Sequence, residues 1–189
     1  MQWTLSNQLT VARVFLIPLF IVIFYLPGLW GHIGAALLFA LAAFTDWLDG
    51  YLARKRDEVT PFGRFLDPVA DKLLVATALV LLVESSHVPA ILGIIIIGRE
   101  IIIGALREWL ARVASIVHVS RLGKFKTATQ MLAITLLLLH LDVLGMDLHL
   151  IGLVLLWVAA MLTLWSGYEY LRDARDELFA ASQPQESDH

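Results

Sequence analysis

Six apolar stretches, each long enough to cross a bilayer, are the feature that most constrains how this chain folds. About 20 apolar residues in helical conformation cross the hydrocarbon core of a membrane. Hydrophobic residues make up 59% of the chain and charged residues 16%, whereas a soluble domain has roughly 45–50% and about 25%. We therefore predict an all-α integral membrane protein whose six transmembrane helices form a bundle. The stretches lie at roughly 8–26, 33–54, 64–84, 89–112, 126–142 and 148–170.

The basic residues predict the orientation of these spans. The connections near residues 27–31, 85–89 and 141–147 contain no Lys or Arg, and the basic residues lie in the other connections and flanks. Because Lys and Arg concentrate in cytoplasmic loops, both termini are predicted to be cytoplasmic. We expect one catalytic domain over 1–179 and a polar, disordered tail over 180–189.

Composition narrows the function classes. The chain has no cysteine, which excludes disulfides and thiol chemistry, and its net charge of −3 gives no indication of nucleic-acid binding. The six histidines show no i, i+4 pairing, so we expect them to lie at interfaces or in solvent rather than to bind metal.

Four aspartates, Asp46, Asp49, Asp67 and Asp71, interrupt two of the apolar stretches. Spacings of three and four residues place each pair on one face of a helix. Four carboxylates facing one another in a membrane would repel strongly unless cations lay between them. All-oxygen ligand sets favour magnesium, manganese or calcium. The alternative, a set of solvated acids at helix ends, fits isolated aspartates better than this pattern.

The ionisable residues share one depth in the predicted bundle. Asp46, Asp71 and Arg99 each lie eight residues, or roughly 12 Å along a helix, from the cytoplasmic end of a span. This common depth predicts a polar cavity that faces the cytoplasm.

Small and basic neighbours of the aspartates suit a diphosphate ligand. Gly50, Ala53 and Gly63 leave room for a bulky group, and Arg54 offers a planar fork to phosphate oxygens. Two cations held by the carboxylates would stabilise the entering and leaving oxygens of an in-line displacement. Further candidate contacts, spaced three apart on the first helix, are Asn7, Thr10 and Arg13.

The pattern D-x2-D-G-x2-A-R-x8-G-x3-D-x3-D over 46–71 resembles the signature of the CDP-alcohol phosphatidyltransferase family, integral membrane enzymes of phospholipid biosynthesis. The chain looks most like the bacterial members whose acceptor is glycerol 3-phosphate. The segments that carry this further resemblance are NQLTVAR at 7–13, TDWLDGYLAR at 45–54, GRFLDPVADK at 63–72, REIIIGALREW at 99–109 and GKFKTATQ at 123–130.

The resemblance implies a reaction and roles for these residues. The four aspartates would hold divalent cations, two Mg²⁺ or Mn²⁺ ions by our expectation, and Asp71 would act as general base. The sn-1 hydroxyl of glycerol 3-phosphate would attack CDP-diacylglycerol, giving phosphatidylglycerophosphate and CMP. A homodimer in the bacterial inner membrane is also implied. Residues matching the family's cytidine diphosphate contacts are Thr10, Asp46, Gly50, Ala53, Arg54 and Gly63.

The acceptor is harder to assign than the donor. A dianionic phosphate requires cations beyond those that face the nucleotide, and Arg99, Arg107, Lys124 and Lys126 are the candidates. Arg99 with Glu100, and Arg107 with Glu108, could equally form structural ion pairs. Inositol phosphate or serine stays open as the acceptor. A divalent-cation transporter is the alternative from another class, because paired aspartates on membrane helices could coordinate a permeating ion.

Overall fold

The computed structural model describes residues 5–56, 61–113, 121–143 and 146–181. These residues form six long helices and one two-residue antiparallel ladder, in which Asp142 pairs with Asp147. The predicted all-helical fold with six helices is therefore confirmed. In chain order the elements are α1 (Leu5–Phe24), α2 (Leu29–Arg56), α3 (Pro61–Glu84), α4 (Ala90–Val113), α5 (Arg121–Leu139), β1 (Asp142–Val143), β2 (Met146–Asp147) and α6 (Leu148–Ala181).

Local sequence explains where several helices begin. Gly28, immediately before α2, has φ of 78°, a conformation that costs glycine little because it has no Cβ. Pro61 occupies the first position of α3, where its missing N–H is not needed. Asp147 caps α6, because its Oδ1 accepts hydrogen bonds from the N–H groups of His149 at 2.9 Å and Leu150 at 3.1 Å.

The helices bury one apolar core between them. α1 packs against α2 and α3, α6 packs against α5 and α4, and α3 contacts α1, α2, α4 and α5. The central position of α3 matters for function, because this helix carries Asp71. Fully buried side chains come from all six helices and include Phe20, Phe39, Leu79, Leu82, Ile96, Ile134 and Leu156.

The outer faces of the helices are strongly apolar. Phe15, Ile94 and Trp165 are each more than 60% exposed, a pattern expected of side chains that face lipid. Leu29–Asp46 and Leu148–Arg172 are long and apolar enough to span a membrane, and Thr10–Phe24 and Phe125–Leu139 are shorter apolar segments. α3 and α4 are not among these segments, and both carry charged residues, including Asp71, Lys72, Arg99 and Glu100. Six spans therefore remain a prediction.

The structure gathers four of the histidines at the end of the bundle that lacks basic residues. The His87 and His140 rings lie 4.3 Å apart, His140 and His149 5.2 Å, and His32 and His140 6.0 Å. His149 Nε2 donates to the carbonyl of His87 at 2.9 Å. Periodicity along single helices could not reveal this cluster, because its members come from different elements.

Candidate active site

One half of the site lies where α1 packs against α2. The guanidinium of Arg13 forms an ion pair and hydrogen bond with Asp46. Thr10 is fully buried one turn earlier on α1, and Arg13 is only 3% exposed. Burying an arginine is costly unless a carboxylate pairs with it. The pair therefore places the Asp46 carboxylate at the α1–α2 contact.

The other half of the site is built around Asp71 on α3. Its carboxylate lies close enough to Asp46, Glu100, Arg13 and Lys72 for their charges to act on it. Side chains from α1, α2, α3 and α4 thus converge on one region. The shared depth of Asp46 and Asp71 along their helices predicts this convergence.

Glu100 organises the cations of α4 and α5. Its Oε1 accepts hydrogen bonds from Arg99 Nη1 at 3.1 Å and from Lys126 Nζ at 2.5 Å. Arg99 Nη2 donates to Ser166 Oγ on α6 at 2.9 Å. Arg99 also packs close to Gly167 of α6, where an added Cβ would make an ordinary van der Waals contact with Arg99 Cγ at 3.5 Å. Arg99 and Lys126 thus form a structural network with the Glu100 carboxylate.

A cavity of about 170 Å³ lies between α3, α4 and α5. Its polar lining consists of Asp71, Lys72, Glu100, Thr127 and Gln130, and its apolar lining includes Ile96 and Met131. Asp71 therefore lines a partly open space that is large enough for a small molecule. Sequence reasoning missed Lys72 and Gln130 as parts of this wall. Both follow assigned residues closely, Lys72 directly after Asp71 and Gln130 one turn after Lys126.

The candidate acceptor cations do not all meet at this cavity. Arg99 and Lys126 share Glu100, whereas Arg107 lies on the surface with its guanidinium carbon 5.9 Å from the centre of the Tyr170 ring, a cation–π contact. The predicted structural pair of Arg99 with Glu100 is present. The sequence could not choose between a structural and a ligand-binding role, because the partners of Glu100 come from α4 and α5.

Several predicted site residues have side chains outside the described part of the structure. Their roles stay predictions from the sequence. They are Asn7, Asp49, Gly50, Ala53, Arg54, Gly63, Asp67 and Lys124.

The described carboxylates suit a hard cation in chemistry and in placement. Asp46 and Asp71 come from different helices, and their like charges act on each other, an arrangement that a bound cation would relieve. Among the described side chains, no group of three or more metal ligands is present. The side chains of Asp49 and Asp67, the other two aspartates of the predicted set, are not among those described.

A helical protein with carboxylates converging beside a cavity is consistent with an enzyme that handles a diphosphate. Comparison with known sequences identifies its class. Residues 3–165 match the CDP-alcohol phosphatidyltransferase family. The chain belongs to that family, as its aspartate pattern indicated.

The similar proteins narrow the class further. A protein of Sodalis glossinidius is 50% identical over 186 residues, covering 95% of this chain and 99% of its own length. Proteins of Escherichia coli K12 and Shigella flexneri serotype 5b are each 49% identical over 185 residues, covering 94% of this chain and 98% of their own length. All three are named CDP-diacylglycerol–glycerol-3-phosphate 3-phosphatidyltransferase. The chain is an enzyme of this kind.

Proposed function

We propose that this protein transfers the phosphatidyl group of CDP-diacylglycerol to the sn-1 hydroxyl of glycerol 3-phosphate. The products are phosphatidylglycerophosphate and CMP. The observation that carries the proposal is identity of 49–50% over nearly the whole chain to relatives with this enzyme name. The cavity beside Asp71 supports it, because a small acceptor could enter there and meet the carboxylate.

In this reaction the acceptor oxygen forms a bond to the lipid-linked phosphorus. The bond from that phosphorus to the bridging oxygen breaks, and the electron pair leaves with CMP. Asp71 takes the hydroxyl proton. An ordinary aspartate is a weak base for an alcohol, so we expect the proton to move late, once bonding to phosphorus has made the hydroxyl more acidic.

The donor site lies where α1, α2 and the start of α3 meet. Thr10, Arg13 and Asp46 contribute from the described part of the structure, and Arg13 holds Asp46 in place. Two divalent cations, Mg²⁺ or Mn²⁺, would supply charge neutralisation for the diphosphate when bound. The four aspartates would hold them. The remaining donor contacts that we propose are Asn7, Gly50, Ala53, Arg54 and Gly63.

The membrane arrangement follows from the same proposal. Apolar outer faces and a family of lipid-handling enzymes support an inner-membrane protein with six spans and a cavity that opens to the cytoplasm. Both termini are then cytoplasmic, as the distribution of Lys and Arg predicts. We also propose a homodimer, as the family resemblance implies.

The direct test measures CMP release by the purified protein with CDP-diacylglycerol and Mg²⁺ or Mn²⁺. Glycerol 3-phosphate, serine and inositol phosphate are compared as acceptors. We expect release with glycerol 3-phosphate alone. Release only with serine or inositol phosphate would change the acceptor assignment. Absence of CMP with every acceptor, together with Mn²⁺ uptake into vesicles, would favour the transporter instead.

Replacing Asp71 tests its role. Asp71→Asn keeps the size of the side chain and removes the base, so turnover should fall at least about a hundredfold while the melting temperature stays near that of the wild type. Asp147→Asn is the matched control, because asparagine also caps a helix, and it should keep full activity. Turnover of Asp71→Asn within a few-fold of the wild type would remove Asp71 from its assigned role.

A further inference from the structure

Lys72 is a cation on the cavity wall that the donor site and the Glu100 network do not use. It follows Asp71 on α3, is half-buried and lines the cavity. Its Nζ lies against Gly104 of α4, so closely that a Cβ at position 104 would overlap it. The absence of a side chain at Gly104 is therefore what lets the ammonium group lie between α3 and α4.

The charge of Lys72 is less engaged than the charges of its basic neighbours. Arg99 and Lys126 are both hydrogen-bonded to Glu100. Lys72 makes no ion pair or hydrogen bond with any residue in the described part of the chain, although its charge acts on Asp71 and Glu100. An ammonium group on a cavity wall with this freedom can donate strong hydrogen bonds to an anionic ligand.

Gln130 supplies an independent observation on another wall of the same cavity. It lies on α5, is 5% exposed and lines the cavity beside Thr127. Its Oε1 is buried without a hydrogen-bond partner among the described residues. Buried carbonyl oxygens of this kind are nearly always satisfied in proteins, so a group that enters the cavity is the natural donor.

We propose that the cavity between α3, α4 and α5 binds the acceptor alcohol, with Lys72 contacting its phosphate and Gln130 accepting a hydrogen bond from its non-reacting hydroxyl. This inference rests on the proposed function and gives it a specific subsite. Glycerol 3-phosphate carries both groups, a phosphate and a second hydroxyl beside the reacting one. Serine has no phosphate for Lys72, which gives a physical basis for rejecting it.

The role of Lys72 is tested by separating the kinetic parameters of the two substrates. Lys72→Met should raise KM for glycerol 3-phosphate roughly tenfold to a hundredfold, the range for losing a charge-assisted hydrogen bond. KM for CDP-diacylglycerol should change less than twofold. Inorganic phosphate should compete with glycerol 3-phosphate in the wild-type enzyme, and its inhibition constant should rise in Lys72→Met by a similar factor. Lys72→Arg should recover part of the loss.

Gly104 provides a second test, in which Lys72 is not substituted. Gly104→Ala should displace the flexible end of Lys72 and raise KM for glycerol 3-phosphate in the same direction as Lys72→Met. Gly98→Ala is the matched control on α4, because a Cβ at Gly98 meets nothing within 4 Å, and it should behave as wild type.

Equal rises in both substrate KM values for Lys72→Met, or a fall in kcat alone, would overturn the phosphate assignment.

The role of Gln130 is tested with an acceptor that lacks one hydroxyl. The monophosphate of 1,3-propanediol keeps the reacting hydroxyl and the phosphate but has no hydroxyl at the middle carbon. Wild-type enzyme should prefer glycerol 3-phosphate over it by about three- to tenfold in kcat/KM. Gln130→Met should reduce this preference to near one, and an unchanged preference would overturn the assignment.

Stability distinguishes this role of Gln130 from a purely structural one. Removing a buried, unsatisfied oxygen is expected to raise the melting temperature, so Gln130→Met should be more stable and less selective at once. A lower melting temperature with unchanged selectivity would assign Gln130 to the core.

If wild-type enzyme does not use glycerol 3-phosphate, the proposed function fails. If it does and these variants behave as wild type, only the subsite assignment fails.

Discussion

At the residue scale, the most informative side chain is Glu100. Its carboxylate joins Arg99 of its own helix to Lys126 of α5. The side chain of Lys126 is only 4% exposed, and a buried ammonium group is strongly destabilising without its partner. The network therefore stabilises the fold. If Arg99 or Lys126 also binds the acceptor, it does so while paired with Glu100.

Glu100→Gln should therefore destabilise the protein more than Lys126→Met. We expect Glu100→Gln to lower the free energy of unfolding by about 3 kcal/mol, the cost of removing one partner from a buried pair. Adding Lys126→Met should restore part of this loss. SDS-induced unfolding in detergent micelles measures each variant. Glu169→Gln is the control, since Glu169 accepts a hydrogen bond from Trp165 on the exposed surface. Strictly additive effects of the two substitutions would contradict the network.

At the scale of elements, the histidine cluster connects four segments of the chain, with His32 in the first turn of α2. His87 lies between α3 and α4, His140 follows α5, and His149 lies in the first turn of α6. Burial lowers the pKa of His87 below its usual value, and the neighbouring His140, His149 and His32 lower it further. The folded protein thus favours neutral His87, and protonation opposes the packing of these connections.

Stability should depend on pH through this cluster. A histidine whose pKa is lower in the folded state stabilises the fold above the unfolded value of about 6.5, and this contribution is lost as pH falls through the folded pKa. The melting temperature should therefore fall between pH 8 and pH 5. His87→Gln should flatten that dependence, whereas His189→Gln should leave it unchanged. A slope in His87→Gln equal to that of the wild type would exclude His87 as the origin.

At the scale of the whole molecule, the fold separates two chemically different ends. The histidine cluster and the connection of α3 to α4 lie at the end without Lys or Arg, and the charged residues of the site lie deeper in the bundle. The large apolar side chains on the outer faces suit a lipid surrounding. The orientation of the protein in the membrane then decides from which compartment a water-soluble substrate can enter the site.

Because the natural sequence contains no cysteine, single-cysteine variants can report this orientation. We expect a membrane-impermeant maleimide to label Ser86→Cys, in the connection of α3 to α4, in intact cells. Ser187→Cys, near the carboxyl-terminal end, should react only after the membrane is permeabilised. The reverse pattern would invert the predicted topology. Labelling of both sites in intact cells would place the carboxyl-terminal end outside the cytoplasm and contradict the predicted six spans with cytoplasmic termini.

The sequence alone determined the elements and the chemistry of this protein. Apolar length predicted six helices, and the spacing of Asp46 and Asp71 from their helix ends predicted a common depth, because both depend on distances along a single helix. Only the tertiary structure decided that Glu100 holds Arg99 and Lys126, that Lys72 lies on Gly104, and that four histidines meet. These arrangements depend on how separate helices pack and rotate against one another, and a linear spacing does not encode that.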